Sequence, residues 1–411
     1  MHYVIIGNGV AGTVAAETLR RFNTDGRITM IGDEAGLPYC RPMISLYLEG
    51  AVSQTALPIR SDDFYDSLAI TPVLGNRVVQ VDTDNKQVRT ADDKTFPYDK
   101  LLIATGGDPR PAKTDNESLE NIFFMRTQAQ VEQMLAVLPT AKHALVLGGG
   151  LVGFKAAYGL LRRGIKVTML IRSPYPLSMQ VDETAGQMIR RVLENQGLNV
   201  QVGAQVFSFE GNSQVREAVL TDGSRLACDL AVIGKGVFPA HDFLPKDKIT
   251  VDAGIRVNGH MQTSDPDIYA AGDVAEYIDI ARQKPWVNAI WPEAVIQGEI
   301  AGMNMAGRPY AYGGSLSRNV IRIFDTDVMT AGLITPPSDA ADIQVMSHID
   351  PKSATYRKLV FRENRLIGFA LVNRIEQGGV LTALIRSQQP VAVAKESLLA
   401  PDFNFSKLMP I

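Results

Sequence analysis

Short apolar runs alternate with helical patterns along roughly the first 240 residues of the chain. The runs at 2–6 and 144–147 each lead into a glycine-rich turn, which is followed by small and apolar residues at helical spacing. Apolar runs of this length, separated by helices, are typical of buried parallel strands in βαβ units. The pattern therefore predicts an α/β fold with two Rossmann-like units.

Further elements follow from the same periodicities. Strands are predicted at 27–31, from 98 to the small residues at 104–107, and near 165–171, 199–202 and 229–233, with helices at 11–22 and near 127–138, 151–163 and 182–196. A buried strand ends at Gly272-Asp273, where we expect a helix to start. Pro109-Arg110-Pro111 is predicted to be a linker. From about Gly313, strands at 355–361 and 366–372 with a hairpin between them predict a separate α+β domain.

Two glycine motifs of the same kind follow the two apolar runs, Gly7-Asn8-Gly9-Val10-Ala11-Gly12 and Gly148-Gly149-Gly150-Leu151-Val152-Gly153. Between a strand and a helix, the first glycine permits a tight turn, the second lets the backbone approach a pyrophosphate, and the third lets the helix pack on the strand. The amides and the dipole at the helix start then face phosphate charge. The pair of motifs predicts two dinucleotides on one chain.

An acidic residue follows the second strand of the first unit. The strand at 27–31 ends in Gly32-Asp33-Glu34. A carboxylate about 20 residues after such a glycine motif accepts hydrogen bonds from an adenosine ribose. Asp33 is the candidate for that role, and a loop carboxylate or helix cap is the alternative.

Composition and charge narrow the classes of protein. With 411 residues the chain is too long for one core, which predicts two or three domains. A net charge of −3 and the lack of an apolar run long enough to span a bilayer give no reason to expect a nucleic acid or a membrane as partner. Cys40 and Cys228 lack metal-ligand spacing, so no metal site is predicted, and a cytoplasmic location is expected.

Four motifs, in their order, resemble those of the two-dinucleotide-binding-domain flavoprotein reductases, the pyridine nucleotide–disulfide oxidoreductase superfamily. They are the two glycine motifs, Ala104-Thr105-Gly106 between them, and Tyr269-Ala270-Ala271-Gly272-Asp273 after them. The resemblance implies that the first motif holds FAD and the second NAD(P)H, and that Asp273 bonds the ribityl chain of the flavin. The implied domains are 1–112 with 243–312 for FAD, 113–242 for NAD(P), and 313–411 for a C-terminal α+β interface domain.

The same resemblance assigns the candidate site residues. The FAD set is Gly7, Gly9, Ala11, Gly12, Asp33, Glu34, Arg41, Pro42, Ala104, Thr105, Gly106, Gly272, Asp273 and Trp291. The NAD(P) set is Gly148, Gly150, Leu151, Val152, Gly153, Arg172 and Gly234.

Within the superfamily, residues 38–45, Pro-Tyr-Cys-Arg-Pro-Met-Ile-Ser, are similar to a segment of the flavoprotein components that serve ferredoxin, rubredoxin and nitrite reductase. Trp291 opens a stretch that looks like their flavin-facing helix start, whose dipole stabilises reduced flavin. A core aromatic is the alternative role of Trp291. Disulfide reductases of this fold carry a cysteine pair near the flavin, and Pro42 stands where their single-cysteine relatives have a Cys. We therefore expect no dithiol chemistry, with Cys40 a small buried residue.

The charges expected near the flavin depart from those of the ferredoxin-reductase relatives. Those relatives commonly place a Lys and a Glu where this chain has Leu46 and Lys155. Lys155 is the candidate catalytic side chain, reaching either the flavin N5 region or a cofactor phosphate. A solvated or structural lysine is the alternative.

The choice of coenzyme depends on residues 171–173, Ile-Arg-Ser. NAD-specific members carry an acidic residue where this chain has Ile171. Arg172 is able to contact a 2′-phosphate, but one arginine without a second basic residue would bind a phosphate weakly. From the habit of the family we predict NAD(H) rather than NADP(H).

Without a redox cysteine, electrons must leave the flavin for an acceptor outside the chain. We therefore predict an FAD-dependent NAD(P)H:acceptor oxidoreductase that moves electrons, by hydride transfer at flavin N5, between a nicotinamide cofactor and an iron–sulfur electron carrier or iron–sulfur subunit of a larger redox complex. An NAD(P)H oxidase that reduces oxygen and a non-catalytic flavin-bearing assembly subunit are the alternatives. A homodimer and a subunit of a multiprotein complex both stay open.

Overall fold

The computed structural model describes residues 1–400, 403, 404 and 406. In the first part of the chain the elements are β1 (His2–Ile6), α1 (Val10–Phe22), β2 (Arg27–Ile31), a 3-10 turn (Arg41–Met43), α2 (Ile44–Glu49), a 3-10 turn (Gln54–Ala56), α3 (Phe64–Ser67), β3 (Ile70–Val73), β4 (Val78–Asp82), β5 (Gln87–Thr90), β6 (Thr95–Pro97), β7 (Lys100–Ile103) and β8 (Gly107–Pro109). The next part contains β9 (Ile122–Phe124), α4 (Gln128–Val137), β10 (His143–Leu147), α5 (Leu151–Arg162), β11 (Lys166–Ile171), α6 (Glu183–Asn195), β12 (Asn199–Val202), β13 (Val206–Glu210), β14 (Glu217–Leu220), β15 (Arg225–Ala227), β16 (Leu230–Ile233) and β17 (Val237–Pro239). The last part contains β18 (Ile255–Arg256), β19 (Ile268–Ala270), β20 (Ala275–Asp279), β21 (Lys284–Trp286), α7 (Trp291–Met305), β22 (Arg318–Ile323), β23 (Thr326–Gly332), β24 (Ile343–Asp350), β25 (Thr355–Arg362), β26 (Arg365–Val372), α8 (Gly378–Ser387) and α9 (Lys395–Leu399).

The first nucleotide-binding unit is a parallel sheet with the strand order β19-β7-β1-β2-β3. Its edge strand β19 comes from far along the chain, so this unit is discontinuous. Helices α1 and α7 pack against each other on one face, and a side chain at Gly298 would place its Cβ 2.4 Å from the carbonyl oxygen of Ala11. The close approach of these two backbones sets the position of the start of α7.

The second unit is a parallel sheet with the order β12-β11-β10-β16-β9, and its strands lie between residues 122 and 233. Strands β10 and β16 are apolar and buried along nearly their whole length, as expected where helices cover both faces. The prediction of an α/β fold with two Rossmann-like units is confirmed. The exact domain boundaries stay a prediction.

The chain crosses between the two units as a two-stranded ribbon. Strand β8 pairs antiparallel with β17, from Gly107 opposite Pro239 to Pro109 opposite Val237. The predicted linker at 109–111 is therefore wrong at Pro109, which belongs to a strand. A proline is tolerated there because an edge strand does not need every backbone N–H.

The segment at Gly272-Asp273 does not start a helix, which corrects the sequence prediction. It is a turn between β19 and β20, with Gly272 at φ +83°. The backbone N–H of Gly272 donates to Oε1 of Gln297, 2.8 Å away on α7. The small residues after a buried strand were compatible with a helix start, but the helix that covers this strand end begins at Trp291.

The C-terminal part is an antiparallel sheet with the order β22-β23-β26-β25-β24, against which α8 packs. Strands β25 and β26 form the predicted hairpin, with Glu363 at φ +54° in its turn. Residues 401, 402, 405 and 407–411 of the predicted 313–411 domain lie outside the described residues.

A buried ion pair joins the second unit to the C-terminal sheet. Asp182 caps α6 by accepting from the N–H of Ala185 at 3.2 Å. The same carboxylate accepts from the hydroxyl of Tyr356 at 2.6 Å and from Nζ of Lys358 at 2.9 Å, both on β25. Since the Lys358 side chain is 9% exposed, its charge depends on this one partner.

Asp182→Ala should therefore lower the free energy of unfolding by about 3–5 kcal/mol, because it leaves a buried ammonium unpaired and removes a helix cap. Urea denaturation measures this. Glu183→Ala is the matched control, since Glu183 is the exposed neighbour in the first turn of α6 and should cost less than about 1 kcal/mol. Equal losses for both variants would contradict the role of the pair.

Candidate functional site

The two glycine motifs have the same geometry. Gly7 has φ +119° and Gly148 φ +113°, a backbone region that side chains rarely adopt. At the third glycine of each motif, Gly12 and Gly153, an added Cβ would lie 2.0 Å from the carbonyl oxygen of the first. The middle glycine of each motif instead faces open space, with nothing within 4 Å of an added Cβ. Each turn thus leaves room for a ligand at the start of α1 and of α5.

A cavity of about 620 Å³ joins these two helix starts. From the predicted sets its lining includes Gly7, Gly9, Ala11, Asp33, Glu34, Arg41, Pro42, Ala104, Thr105, Gly106, Gly272, Asp273 and Trp291, together with Leu151, Val152 and Lys155. This volume is in the range of small-molecule and cofactor sites, and the glycine turns leave space where a pyrophosphate would approach the backbone. The residues present therefore fit a bound dinucleotide.

The remaining predicted residues lie outside this lining. Gly12 packs against the Gly7 carbonyl, as described above. The others belong to the second unit: Gly148, Gly150, Gly153, Arg172 and Gly234 surround the far side of the α5 start and the ends of β11 and β16. The sequence set thus divides into one group around the cavity and one group beyond it.

Glu34 and Arg41, both predicted to contact FAD, bind each other at the cavity wall. Nη2 of Arg41 lies 2.6 Å from Oε1 of Glu34, and the hydroxyl of Tyr39 donates to Oε2 at 2.7 Å. Burial acts to lower the pKa of the Arg41 guanidinium, but Tyr39 and Glu34 raise it above its usual value. Asp33, by contrast, is exposed and belongs to no ion pair within the described part of the chain, so its carboxylate is available to a ligand.

Asp273 also has a protein partner in the cavity, which sequence reasoning missed. Nη2 of Arg126 lies 3.1 Å from Oδ2 of Asp273, and both side chains are about one-fifth exposed. The backbone carbonyl of Arg126 accepts from Nη1 of Arg41 at 2.6 Å. The available signal was local: Arg126 directly precedes the capping box Thr127 to Gln130 that opens α4.

Lys155 reaches the cavity from the second turn of α5 with no hydrogen bond or ion pair among the described residues. Burial lowers the pKa of its ammonium, and the electrostatic attraction of Glu49 partly offsets this. Glu49, at the end of α2, itself lies 3.4 Å from Arg162 on α5. Glu49, one turn after Leu46 on α2, is thus an acidic neighbour of Lys155 that the sequence comparison did not identify.

The start of α7 is fixed by a buried cluster of charges. Glu293 is fully buried, and its Oε1 lies 2.6 Å from Nη1 of Arg318 and 2.8 Å from Nη2 of Arg386. The hydroxyl of Tyr312 donates to its other oxygen. Because Arg318 also lines the cavity, this cluster ties α7 and the C-terminal sheet to the same wall.

Trp291, the first residue of α7, lines the cavity and is partly buried against the core of the first unit. This one position is therefore compatible with both predicted roles of Trp291, the flavin-facing helix start and the core aromatic. Neither cysteine lines the cavity. Burial raises the pKa of the Cys40 thiol, and burial together with Asp229 raises the pKa of Cys228 to about 12.

No helix in the described ranges combines the length and apolar character that crossing a membrane requires. Those ranges also contain no group of three or more His, Cys, Asp or Glu side chains arranged to hold a metal ion.

Comparison with known proteins identifies the fold and the family to which these motifs correspond. The family model described as pyridine nucleotide-disulphide oxidoreductase matches residues 1–295. The assimilatory nitrate reductase electron transfer subunit of Bacillus subtilis is 31% identical over 404 residues, which are 97% of this chain and 51% of that protein. The chain therefore spans about half the length of this relative.

Two further similarities cover more of the compared chain. An NADH oxidase of Methanocaldococcus jannaschii is 30% identical over 342 residues, 81% of this chain and 76% of that protein. The reductase in a crystal structure of the covalent putidaredoxin reductase-putidaredoxin complex has a TM-score of 0.90 and 25% identity, covering 99% of this chain and 97% of that chain.

Glu293→Gln should destabilise the protein by about 3–5 kcal/mol, because it leaves two partly buried guanidinium groups without their carboxylate. Chemical denaturation monitored by tryptophan fluorescence measures this, since Trp291 lies two residues away. Glu299→Gln on the exposed face of α7 is the control and should change stability by less than about 0.5 kcal/mol. A loss for Glu293→Gln no larger than the control's would show that the cluster does not hold α7.

Proposed function

This chain belongs to the pyridine nucleotide-disulphide oxidoreductase family, and we propose that it is an FAD-dependent NAD(P)H:acceptor oxidoreductase whose acceptor is an iron–sulfur electron carrier or an iron–sulfur subunit of a larger redox complex. One observation carries the proposal. A single cavity reaches both glycine-motif helices, with Gly7 to Ala11 on one side and Leu151, Val152 and Lys155 on the other. Two dinucleotides bound at these helix starts would meet inside it.

The first motif and the cavity wall would hold FAD. The open space at Gly9 suits the pyrophosphate, and the free carboxylate of Asp33 suits the ribose hydroxyls. Asp273 would bind the ribityl chain, with Arg126 holding its carboxylate in place. The N-terminus of α7 at Trp291 supplies a positive dipole end to the inner part of the cavity.

The NAD(P) set would hold the second dinucleotide at the start of α5, with Gly148, Gly150, Gly153, Arg172 and Gly234 around its phosphate and adenosine end. Bound FAD supplies the chemistry, since it accepts a hydride from nicotinamide and passes electrons on. Leu151 and Val152 line the cavity with apolar side chains, which would help to exclude water around bound rings. Lys155 would place its ammonium group in the cavity beside the bound rings, although burial lowers its pKa and so disfavours the charged form.

The route by which electrons leave follows from the cysteines. The chain has two, and neither lines the cavity or has a second thiol beside it. Their raised pKa values also disfavour the reactive thiolate. An acceptor outside the chain is therefore required, and the relative named an electron transfer subunit, together with the solved reductase–putidaredoxin complex, supports a protein acceptor.

The finer points remain predictions from the sequence. NAD(H) is the coenzyme that the habit of the family favours, and the name of the NADH oxidase relative agrees with it. The lack of a carboxylate after β11 is an argument against it. A cytoplasmic location, the oligomeric state and the identity of the acceptor are expectations of the same kind.

Reduced protein should pass electrons to a one-electron acceptor much faster than to oxygen, because a docked acceptor needs only proximity to the flavin. Stopped-flow absorbance would compare reoxidation by a viologen dye, an iron–sulfur protein and oxygen at equal concentrations. If oxygen matches the other two, the oxidase function replaces the one proposed. If nicotinamide never reduces the flavin, the assembly-subunit alternative gains support.

Asp273→Ala should weaken FAD binding by about 1.5–3 kcal/mol, through loss of a hydrogen bond to a charged acceptor. The dissociation constant is measured by rebinding FAD to apoprotein and following the quenching of flavin fluorescence. Asp252→Ala, which removes an exposed carboxylate paired with Arg256 elsewhere in this part of the chain, is the control and should leave FAD affinity unchanged. An unchanged affinity for Asp273→Ala would remove Asp273 from the site.

A further inference from the structure

The two nucleotide units correspond residue by residue at their second strands. In the first unit the N–H of Gly7 donates to the carbonyl of Ile31 at 2.7 Å, and in the second the N–H of Gly148 donates to the carbonyl of Leu170 at 2.9 Å. The registers agree, since the residue before each glycine is paired with that same partner. Asp33 and Arg172 each stand two residues beyond the partner, so they occupy equivalent positions.

The residue immediately before Asp33 in one unit and before Arg172 in the other explains why the two units differ at this position. In the first unit this residue is Gly32, and an added Cβ would lie 2.9 Å from Cβ of Asn8. In the second it is Ile171, which is fully buried, and its Cγ2 lies 2.6 Å from where a Cβ would be at Gly149. The small and large residues have exchanged places, so the second unit buries an isoleucine and leaves Arg172 as the first exposed side chain.

A third strand in each unit, β7 in the first and β16 in the second, places another pair of equivalent residues at the same end of the sheet, which we call the corner of that unit. An added Cβ at Gly7 would meet the carbonyl of Ala104 at 2.1 Å, and one at Gly148 would meet the carbonyl of Gly234 at 2.5 Å. The next residues, Thr105 and Lys235, are therefore equivalent as well.

In the first unit, Asp33 and Thr105 line one small cavity of about 50 Å³. The cation at that corner, Arg77, is neutralised by Asp108 at 2.8 Å. The first unit thus offers a free carboxylate and a hydroxyl, which suit the hydroxyls of a ribose.

The matching corner of the second unit has the opposite charge. Arg172 is exposed and forms no ion pair in the described segments. Lys235 donates to the carbonyl of Ala112 at 2.9 Å. Burial lowers the pKa of Lys235, Glu117 raises it, and Arg172 lowers it. The second unit thus has two cations at one end of its sheet, after the two strands that flank β10, and a bound dianion would be stabilised by both.

We propose that Arg172 and Lys235 form a binding site for the 2′-phosphate of the coenzyme, so that this chain prefers NADP(H) to NAD(H). The proposal rests on the function proposed above, since it concerns the nicotinamide nucleotide of that same site. It reverses the preference drawn from the sequence, where Arg172 lacked a second basic residue. The second residue is Lys235, 63 positions later in the chain; it follows β16 and Arg172 follows β11, the two strands that flank β10 at the same end of the sheet.

The pyrophosphate is the other anionic group that two cations at this corner could meet. The pyrophosphate of a bound dinucleotide would lie at the start of α5, against the open space at Gly150. It is common to both coenzymes, whereas the 2′-phosphate belongs to NADP(H) alone. A change in affinity that affects only one coenzyme therefore distinguishes the two groups.

The test is calorimetric titration of the FAD-loaded protein with NADP⁺ and with NAD⁺, which measures binding without turnover. Wild-type protein should bind NADP⁺ at least about tenfold more tightly. Arg172→Ala should weaken NADP⁺ binding by about 10- to 100-fold, the size of one charge-assisted contact, and leave NAD⁺ within about twofold. Lys235→Ala should act in the same direction, and Arg172→Asp should reverse the preference.

Lys166→Ala is the matched control, because Lys166 is an exposed cation at the opposite end of the same strand, β11, and should leave both affinities unchanged. NAD⁺ binding as tight as NADP⁺ in the wild type would overturn the inference while leaving the proposed reductase intact. Equal losses for both coenzymes in Arg172→Ala would also overturn it, by assigning Arg172 to the pyrophosphate. If neither coenzyme bound, the proposed function itself would fail.

Discussion

The lack of a side chain where each first strand turns into its helix is the constraint on which the site depends. At Gly12 and Gly153 a Cβ would lie 2.0 Å from the carbonyl of the first glycine, a distance that no rotamer relieves. Any larger residue would push the helix off the strand and move its N-terminal amides away from the cavity. Since both helix starts lie at the same cavity, backbone packing in two separate sheets sets the distance between them. Under the proposed function, that distance would determine how closely two bound rings approach each other.

The C-terminal sheet completes this arrangement from the other side. It contacts the first unit through the cluster around Glu293 and the second unit through Asp182. Each link is a buried carboxylate whose basic partner is on the C-terminal part of the chain, and an unpaired charge at either place costs several kcal/mol. These pairs therefore favour one relative placement of the three parts over alternatives. The wall that carries Arg318 is kept in register with the start of α7, so the depth of the cavity depends on contacts well outside it.

The sequence predicts what is encoded locally. Strand periodicity, glycine spacing and the hairpin at Glu363 all depend on residues within a few positions of one another, and the structure agrees with them. The incorrect helix at Gly272-Asp273 has the opposite cause, since that turn is held by a side chain of α7. Arg126 was missed because its partner Asp273 is 147 residues away; the capping box beside Arg126 indicates a helix start but not this contact. Burial of opposite charges from distant segments is a property of the folded chain rather than of any motif.

Duplicated architecture also explains how the two nucleotide sites can differ in charge without differing in fold. The position immediately before Asp33 and Arg172 is closely packed, as Gly32 against Asn8 in one unit and as Ile171 against Gly149 in the other. One residue later the chain leaves the core, and the side chains of Asp33 and Arg172 are exposed. A substitution there changes the electrostatic potential at the adenosine end while leaving strand register and core volume unaltered. Under the inference drawn above, discrimination between dinucleotides would depend on these exposed positions, whereas the closely packed glycines of the two motifs cannot carry side chains without disturbing the fold.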